Sequence, residues 1–254
     1  NISNALFRLI GISNDFILTK EFVYLIQGEA RVSSSATLII QHGVIVKIDK
    51  SFGGAGNLVV DGVLKAEGTF EDPVYFTSFY DDTVGGDTDG DGGVNLPENY
   101  SAGNGIQLNN AVSPSFLNNT YIKYHNIGLW IKNGTHRITN VHLIKSNYGI
   151  IMEGGNIEVD GAEIRGNVGV YLYPSQAFSG DLTIKNSQIY APQGVQAMAG
   201  NFNLIASEIN GENSSGSVGI SITGNAKVIL TGNTIRDFSN TGILSQTTGS
   251  LDLQ

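Results

Sequence analysis

The sequence of 254 residues contains no cysteine, one tryptophan and five prolines. Without cysteine there can be no disulfide framework, no thiolate metal site and no cysteine nucleophile. Charged residues make up 15% of the chain, against roughly 25% in an average soluble domain. No apolar run approaches the roughly 18 residues that span a bilayer as a helix, so we expect no membrane span.

The charge that is present is unbalanced. The chain has 23 acidic and 14 basic residues and a net charge of −9. Because binding to phosphates needs a basic face, this balance argues against a nucleic-acid partner and suits divalent cations instead. An apolar content of 41% is sufficient for one sizeable core, and the 33 glycines are more than such a chain ordinarily carries.

Two sequence markers recur about every 23 residues and stay in phase. A glycine followed by an aliphatic residue occurs at Gly105, Gly128, Gly149, Gly169, Gly194, Gly219 and Gly242. A second aliphatic position occurs at Ile122, Leu143, Ile164, Ile189, Ile209 and Ile235. A fixed period with two independent markers indicates a repeat protein.

Asparagine follows the same period. It lies two residues before the glycine at Asn126, Asn147, Asn167 and Asn240, and three before the second aliphatic residue at Asn119, Asn140 and Asn186. Segments such as GLWIKNG and GISITGN alternate with period two and end at turn residues, which is typical of short strands. The pattern predicts a parallel β-helix, in which Asn tolerates left-handed turns and bonds its equivalent one coil along.

The early part of the chain carries a resemblance to a known family. The segments VYLIQGEARVSSSATLIIQHGVIVKI (23–48), NLVVDGVLKAEGTFEDPVYFTS (57–78) and DDTVGGDTDGDGG (81–93) resemble the opening coils of secreted bacterial right-handed parallel β-helix proteins of the pectate-lyase-like superfamily. The resemblance implies an all-β, right-handed solenoid from an extracellular or cell-surface protein. It leaves activity open, because one fold hosts lyases, hydrolases, adhesins and structural proteins.

We therefore expect a parallel β-helix of about nine to ten coils over 23–254, with an inserted loop at 80–102. Residues 1–22 lack both markers and are predicted to be an N-terminal cap, as a short helix or strand, or a leader. The last residues, SLDLQ, match the start of another coil. An open strand edge there indicates either continuation into a longer chain or self-association through the C-terminal coil.

The inserted loop contains a candidate metal site. Asp87, Asp89 and Asp91 form the D-x-D-x-D-G start of a twelve-residue calcium loop, with Gly93 at position 7 and Glu98 at position 12. Calcium takes six to eight oxygen ligands, which alternating carboxylates in a glycine-permitted turn supply. Pro97 makes Glu98 the weakest member, and Asp81 or Asp82 could replace it. The alternative is an acidic surface loop without an ion.

Two outward faces carry candidate binding or catalytic residues. Trp130, Ile151 and Tyr171 should form an outward row, with Tyr173 on the neighbouring outward row. This face is either covered by another segment or protein or available to a glycan. His142 and Glu163 should be neighbours one coil apart, with Arg165 beside them.

The motifs Asn-Thr-Asp, Gly-His-Gly and Arg-Ile-Lys of polygalacturonase-like enzymes do not occur. We therefore expect a non-catalytic extracellular stalk, adhesin or fibre module with structural calcium; the alternative is a polysaccharide-binding or polysaccharide-degrading β-helix.

Overall fold

A computed structural model describes residues 6–51, 53, 55–92, 97, 102–109, 113–173 and 180–254. The described residues form 24 strands and no helix, and therefore no helix that could span a membrane. The strands are β1 (Leu6–Ile12), β2 (Phe16–Leu18), β3 (Val23–Val32), β4 (Thr37–Gln41), β5 (Ile45–Asp49), β6 (Asn57–Val60), β7 (Val63–Glu67), β8 (Val74–Ser78), β9 (Asn104–Leu108), β10 (Ser115–Lys123), β11 (Ile127–Ile131), β12 (Thr135–Met152), β13 (Gly155–Asp160), β14 (Glu163–Leu172), β15 (Gly180–Lys185), β16 (Gln188–Tyr190), β17 (Gln193–Ala197), β18 (Asn201–Ile205), β19 (Glu208–Asn210), β20 (Val218–Gly224), β21 (Lys227–Thr231), β22 (Thr234–Arg236), β23 (Thr241–Thr247) and β24 (Ser250–Leu253).

The strand pairings divide each coil among three sheets, which we call A, B and C. Sheet A contains β6, β9, β11, β17, β20, β23 and the C-terminal parts of β1, β3, β12 and β14. Sheet B contains β2, β4, β7, β13, β15, β18, β21, β24 and the N-terminal parts of β10 and β12. Sheet C contains β5, β8, β16, β19, β22, the N-terminal parts of β1, β3 and β14, the C-terminal part of β10 and the middle of β12. All these pairs are parallel, and the chain is an all-β parallel solenoid of about ten turns, as predicted.

One continuous core runs along the inside of the stack. Inward side chains of successive coils lie in register, as in the row Ile122, Leu143 and Ile164, each at most 1% exposed. Parallel strands about 4.8 Å apart bring such residues into direct contact, so every coil buries its neighbours' apolar side chains.

The two sequence markers are in phase because the residues that form them touch. In the coils from Gly105 to Gly219 the glycine of sheet A closely approaches an inward aliphatic side chain of sheet C. A Cβ atom at Gly105 would lie 3.1 Å from Ile122 Cγ2, and one at Gly128 would lie 3.1 Å from Leu143 Cδ2. Glycine is therefore required where the backbone of one sheet approaches the side chains of another.

Asparagine serves two different corners. Asn119, Asn140 and Asn186 occupy the corner between sheets B and C with φ of +43°, +50° and +50°, a left-handed conformation that Asn tolerates. At the corner before sheet A, side-chain amides bond from coil to coil, and the donor–acceptor pairs are Asn126 to Asn104, Asn147 to Asn126, and Asn167 to Asn147. The predicted bonding between equivalent amides is confirmed for Asn126, Asn147 and Asn167.

Both ends of the described chain follow the same parallel stacking. Within the segment predicted as a cap or leader, β1 pairs with β3 and β2 pairs with β4. At the other end β23 pairs with β20 and β24 pairs with β21. The inserted loop leaves sheet C after β8 and returns to sheet A at β9.

Candidate metal centre and exposed faces

The inserted loop folds back onto the outward face of sheet C. A Cβ atom at Gly85 would lie 3.3 Å from Val23 Cγ2, 3.3 Å from Ile45 Cγ2 and 3.2 Å from Lys47 Cε. Two bonds attach the loop there, because Lys47 Nζ donates to Gly86 O at 2.8 Å and to Thr88 Oγ1 at 2.7 Å. The loop is therefore packed against the solenoid.

Four carboxylates converge on this packed loop. One oxygen each from Asp82, Asp87, Asp89 and Asp91 lies within 4.8 Å of all the others. The turn is shaped by the backbone, since Gly90 N and Gly92 N donate to the two oxygens of Asp87 at 2.7 and 3.0 Å. The structure thus brings together the three predicted aspartates, whereas the predicted Gly93 and Glu98 lie outside the described residues.

Asp82 is the member of this cluster that the sequence left as an alternative. Each of its two oxygens has less than 1 Å² of exposed surface and no hydrogen-bond partner in the described structure. Burial, and then the charge of Asp89, raise the pKa of Asp82. The charge of Lys47 attracts this carboxylate and opposes the rise in its pKa, but no group in the described part of the chain donates a hydrogen bond to it, and a cation would supply the missing contact.

Asp81, the other alternative, has a different role. It is fully buried, and its carboxylate accepts hydrogen bonds from Thr77 Oγ1 and Thr83 Oγ1 at 2.5 Å and pairs with Lys123 Nζ at 2.9 Å. Burial opposes these partners, but together they lower the pKa of Asp81. The carboxylate oxygens of Asp81 therefore attach the start of the loop to sheet C.

The outward row of sheet A lies in the predicted register. Trp130 pairs with Ile151, and Ile151 pairs with Tyr171. The Trp130 indole is held in place, because its Nε1 donates to Glu153 Oε1 at 2.8 Å and Lys132 Nζ lies 3.6 Å from its ring centroid. Ile151 is only 8% exposed, so it offers little surface to a ligand.

The exposed aromatic surface of this face lies at its edge. Tyr173 is 46% exposed and contacts Tyr171 edge-on, with ring centroids 5.6 Å apart. Tyr171 also stacks with Tyr148 at 6.0 Å. Of the four predicted ligand-binding residues, Tyr173 therefore has the most accessible ring.

The predicted His142–Glu163 contact on sheet C is confirmed. His142 Nδ1 lies 3.0 Å from Glu163 Oε2, and Arg165 Nε donates to Glu163 Oε1 at 2.6 Å. Burial raises the pKa of Glu163, but the hydrogen bonds from Arg165 and His142 outweigh it and lower the pKa. A carboxylate held ionised by arginine suits an ion pair better than proton donation to a substrate.

The rings next to this pair stack along the solenoid axis. Tyr75 and Tyr121 have centroids 5.1 Å apart, and Tyr121 and His142 have centroids 4.3 Å apart with an interplanar angle of 6°. Because these rings face one another, their edges rather than their faces point outward. A sugar ring therefore has no free aromatic face to stack on between these residues.

No protein-family model, curated protein or solved structure matches the chain. The likeness to the pectate-lyase-like superfamily therefore rests on the sequence segments quoted above. The structure itself supports the broader statement that the chain is a parallel β-solenoid.

Proposed function

We propose that the chain is a non-catalytic structural or adhesive module of an extracellular protein, such as a stalk, adhesin or fibre subunit, in which calcium orders the inserted loop. The observation that carries the proposal is the convergence of Asp82, Asp87, Asp89 and Asp91 within 4.8 Å on a loop packed against the solenoid. Like charges this close repel one another, and a bound divalent cation removes that repulsion.

The shape of the molecule supports the structural role. Ten coils at about 4.8 Å each give a rod roughly 48 Å long whose core is continuous from coil to coil. Such a rod keeps its two ends at a fixed separation. This property suits a spacer or a surface that presents loops, and calcium would stiffen the longest loop on it.

The proposed calcium site also supports an extracellular location. Calcium sites of extracellular modules have dissociation constants of about 0.1–1 mM, and we infer an affinity of that class for this site. Such a site fills at the calcium concentration outside cells and stays empty at cytosolic concentrations. The resemblance to secreted β-helix proteins of bacteria points the same way.

Thermal unfolding in calcium and in EDTA tests the proposal. At a calcium concentration a hundredfold above Kd, one site adds about 2.7 kcal/mol to the free energy of unfolding, so Tm should rise with calcium. Asp89→Asn should abolish the rise, whereas Asp252→Asn on β24 should keep it. Equal melting temperatures of the wild-type protein in calcium and EDTA would refute the calcium-ordered loop.

Polysaccharide binding is the second candidate, favoured by the exposed Tyr173 ring beside Tyr171. Aromatic rings of this kind bind sugar rings through their faces. A glycan array should then show binding that Tyr173→Ala weakens, while Tyr80→Ala in the inserted loop leaves it unchanged. Binding that survives Tyr173→Ala would place the glycan elsewhere on the molecule.

A further inference from the structure

The outward face of sheet C differs between its early and later coils. In the early coils Val23 is 2% exposed and Lys47 is fully buried, although the strand pleat directs both away from the core. In later coils the row of Val23 continues with His142 and Glu163, whose side chains are 29% and 27% exposed. The row of Lys47 continues with Arg165, whose side chain is 41% exposed. Something therefore covers the early coils only.

The cover is the segment 81–92, which we call the strap. It is attached to sheet C at two places. At its start, Asp81 is bound by Thr77 and Lys123; further along, Gly86 O and Thr88 Oγ1 accept hydrogen bonds from Lys47. Between these attachments Gly85 lies against Val23 and Ile45.

The strap is rich in negative charge. It has five aspartates, and Lys47 and Lys123 are among the side chains that contact it. Burial lowers the pKa of Lys47, while the nearby aspartates, Asp82 first, oppose that shift. A divalent cation would relieve the repulsion among the four carboxylates that lie within 4.8 Å of one another.

Asp82 couples the charge cluster to the cover. It directly follows Asp81, which is anchored to sheet C, and both its oxygens are buried without a partner while one of them faces the other three carboxylates. In the closed strap a cation would satisfy this carboxylate. Without a cation, movement of the strap away from the sheet would let water hydrate it.

We propose that calcium binding holds the strap closed over Val23, Ile45 and Lys47, and that removing calcium lifts the strap and exposes the Lys47 amine. This inference rests on the proposed calcium site and adds to it a calcium-dependent surface on sheet C. The ion acts by favouring one of two strap positions, since it binds the gathered carboxylates and not the separated ones.

Amine acylation of the whole chain, followed by mass spectrometry, tests the strap directly. Lys47 should react at least about tenfold more slowly in calcium than in EDTA, because only the open fraction of molecules exposes its amine. Lys227, which is exposed on sheet B, should react equally in both and serves as the internal control. In the Asp89→Asn variant, Lys47 should react rapidly in both calcium and EDTA. In the Asp252→Asn variant, Lys47 should react as in the wild type.

Calorimetric titration with calcium separates the two possible failures. If calcium releases no heat, both the proposed calcium site and the strap are refuted. If calcium binds and Lys47 of the wild-type protein reacts equally fast in calcium and EDTA, the strap is refuted while the site stands. The wild-type comparison needs no variant, so it is unaffected by any substitution that impairs folding.

Discussion

The corner between sheets A and C makes the sharpest prediction about stability. Replacing Gly169 by alanine adds one methyl group at a point where the backbone of sheet A lies against a side chain of sheet C. That carbon would lie 2.5 Å from the carbonyl oxygen of Gly194 and closer still to Ile189 Cγ2. The Gly194 carbonyl belongs to the backbone of the next coil, so it cannot rotate away as a flexible side chain could.

The size of the effect follows from those contacts. Overpacking a core by a methyl group typically costs 1–3 kcal/mol, and the rigid obstruction here places Gly169→Ala near about 3 kcal/mol. Gly242 provides the matched control, because it holds the same position of the repeat and its added carbon would lie 3.7 Å from Ile235 Cγ2. Without a clash, Gly242→Ala should be neutral or stabilise by up to about 1 kcal/mol through the unfolded chain.

Urea unfolding followed by far-ultraviolet circular dichroism measures the difference between these variants. Solenoids can unfold locally, through units coupled to their neighbours. Amide hydrogen exchange of β14 and β17 should therefore be measured together with the urea midpoint. We expect a lower midpoint and faster exchange in Gly169→Ala only. If Gly169→Ala is as stable as Gly242→Ala, the two sheets do not meet at this corner as described.

Two further predictions concern other corners of the stack. Ala206 has φ of +47° where other coils place Asn or Gly. Ala206→Asn should therefore raise the free energy of unfolding in urea by about 1 kcal/mol, and Asn186→Ala should lower it. A loss of stability in Ala206→Asn would contradict this. His125 is fully buried, and burial lowers its pKa to about 4, although the nearby backbone at Phe76 and Gly103 opposes part of the shift. Its folded pKa lies below the unfolded value near 6.5, so its contribution is complete above pH 6.5 and is lost as the pH falls to 4, about 3 kcal/mol in all. The melting temperature of the wild type should therefore fall relative to that of His125→Leu as the pH is lowered from 7 to 4, and parallel curves would refute the prediction.

The coil architecture could be predicted because the repeat reports direct contacts. Gly149 and Ile164 are far enough apart in sequence to look independent, yet the fold brings them into contact, and other coils bring their equivalents into contact in the same way. The asparagines at 119, 140 and 186 similarly mark a left-handed corner that few other residues tolerate. A strictly repeated contact leaves a strictly repeated sequence signal.

The placement of the inserted loop could not be predicted in the same way. Lys47 occupies an outward position in a regular strand. Nothing in the repeat indicates that the strap covers it, although Gly86 of the strap, 39 residues later, binds its amine. Asp81 and Asp82 are adjacent and chemically identical, but the first is bound by Lys123 and the second faces the other aspartates. Such differences depend on where an irregular loop packs, which periodicity does not encode.

The exposed faces show a similar division between register and environment. Trp130, Ile151 and Tyr171 lie in the predicted row because strand pairing fixes which residues are neighbours. Their availability depends on side chains outside the row, such as Lys132 above the indole ring. Register follows from the repeat, whereas accessibility depends on contacts particular to each coil.

A crystal structure determined from crystals grown in millimolar calcium tests the central claim most directly. The account predicts one calcium ion coordinated by Asp82, Asp87, Asp89 and Asp91 at the 2.3–2.6 Å typical of calcium–oxygen ligands, identified by its anomalous scattering. The strap should lie over Lys47 in the same crystals. Separated carboxylates with no anomalous peak between them, at a calcium concentration that saturates extracellular sites, would contradict it.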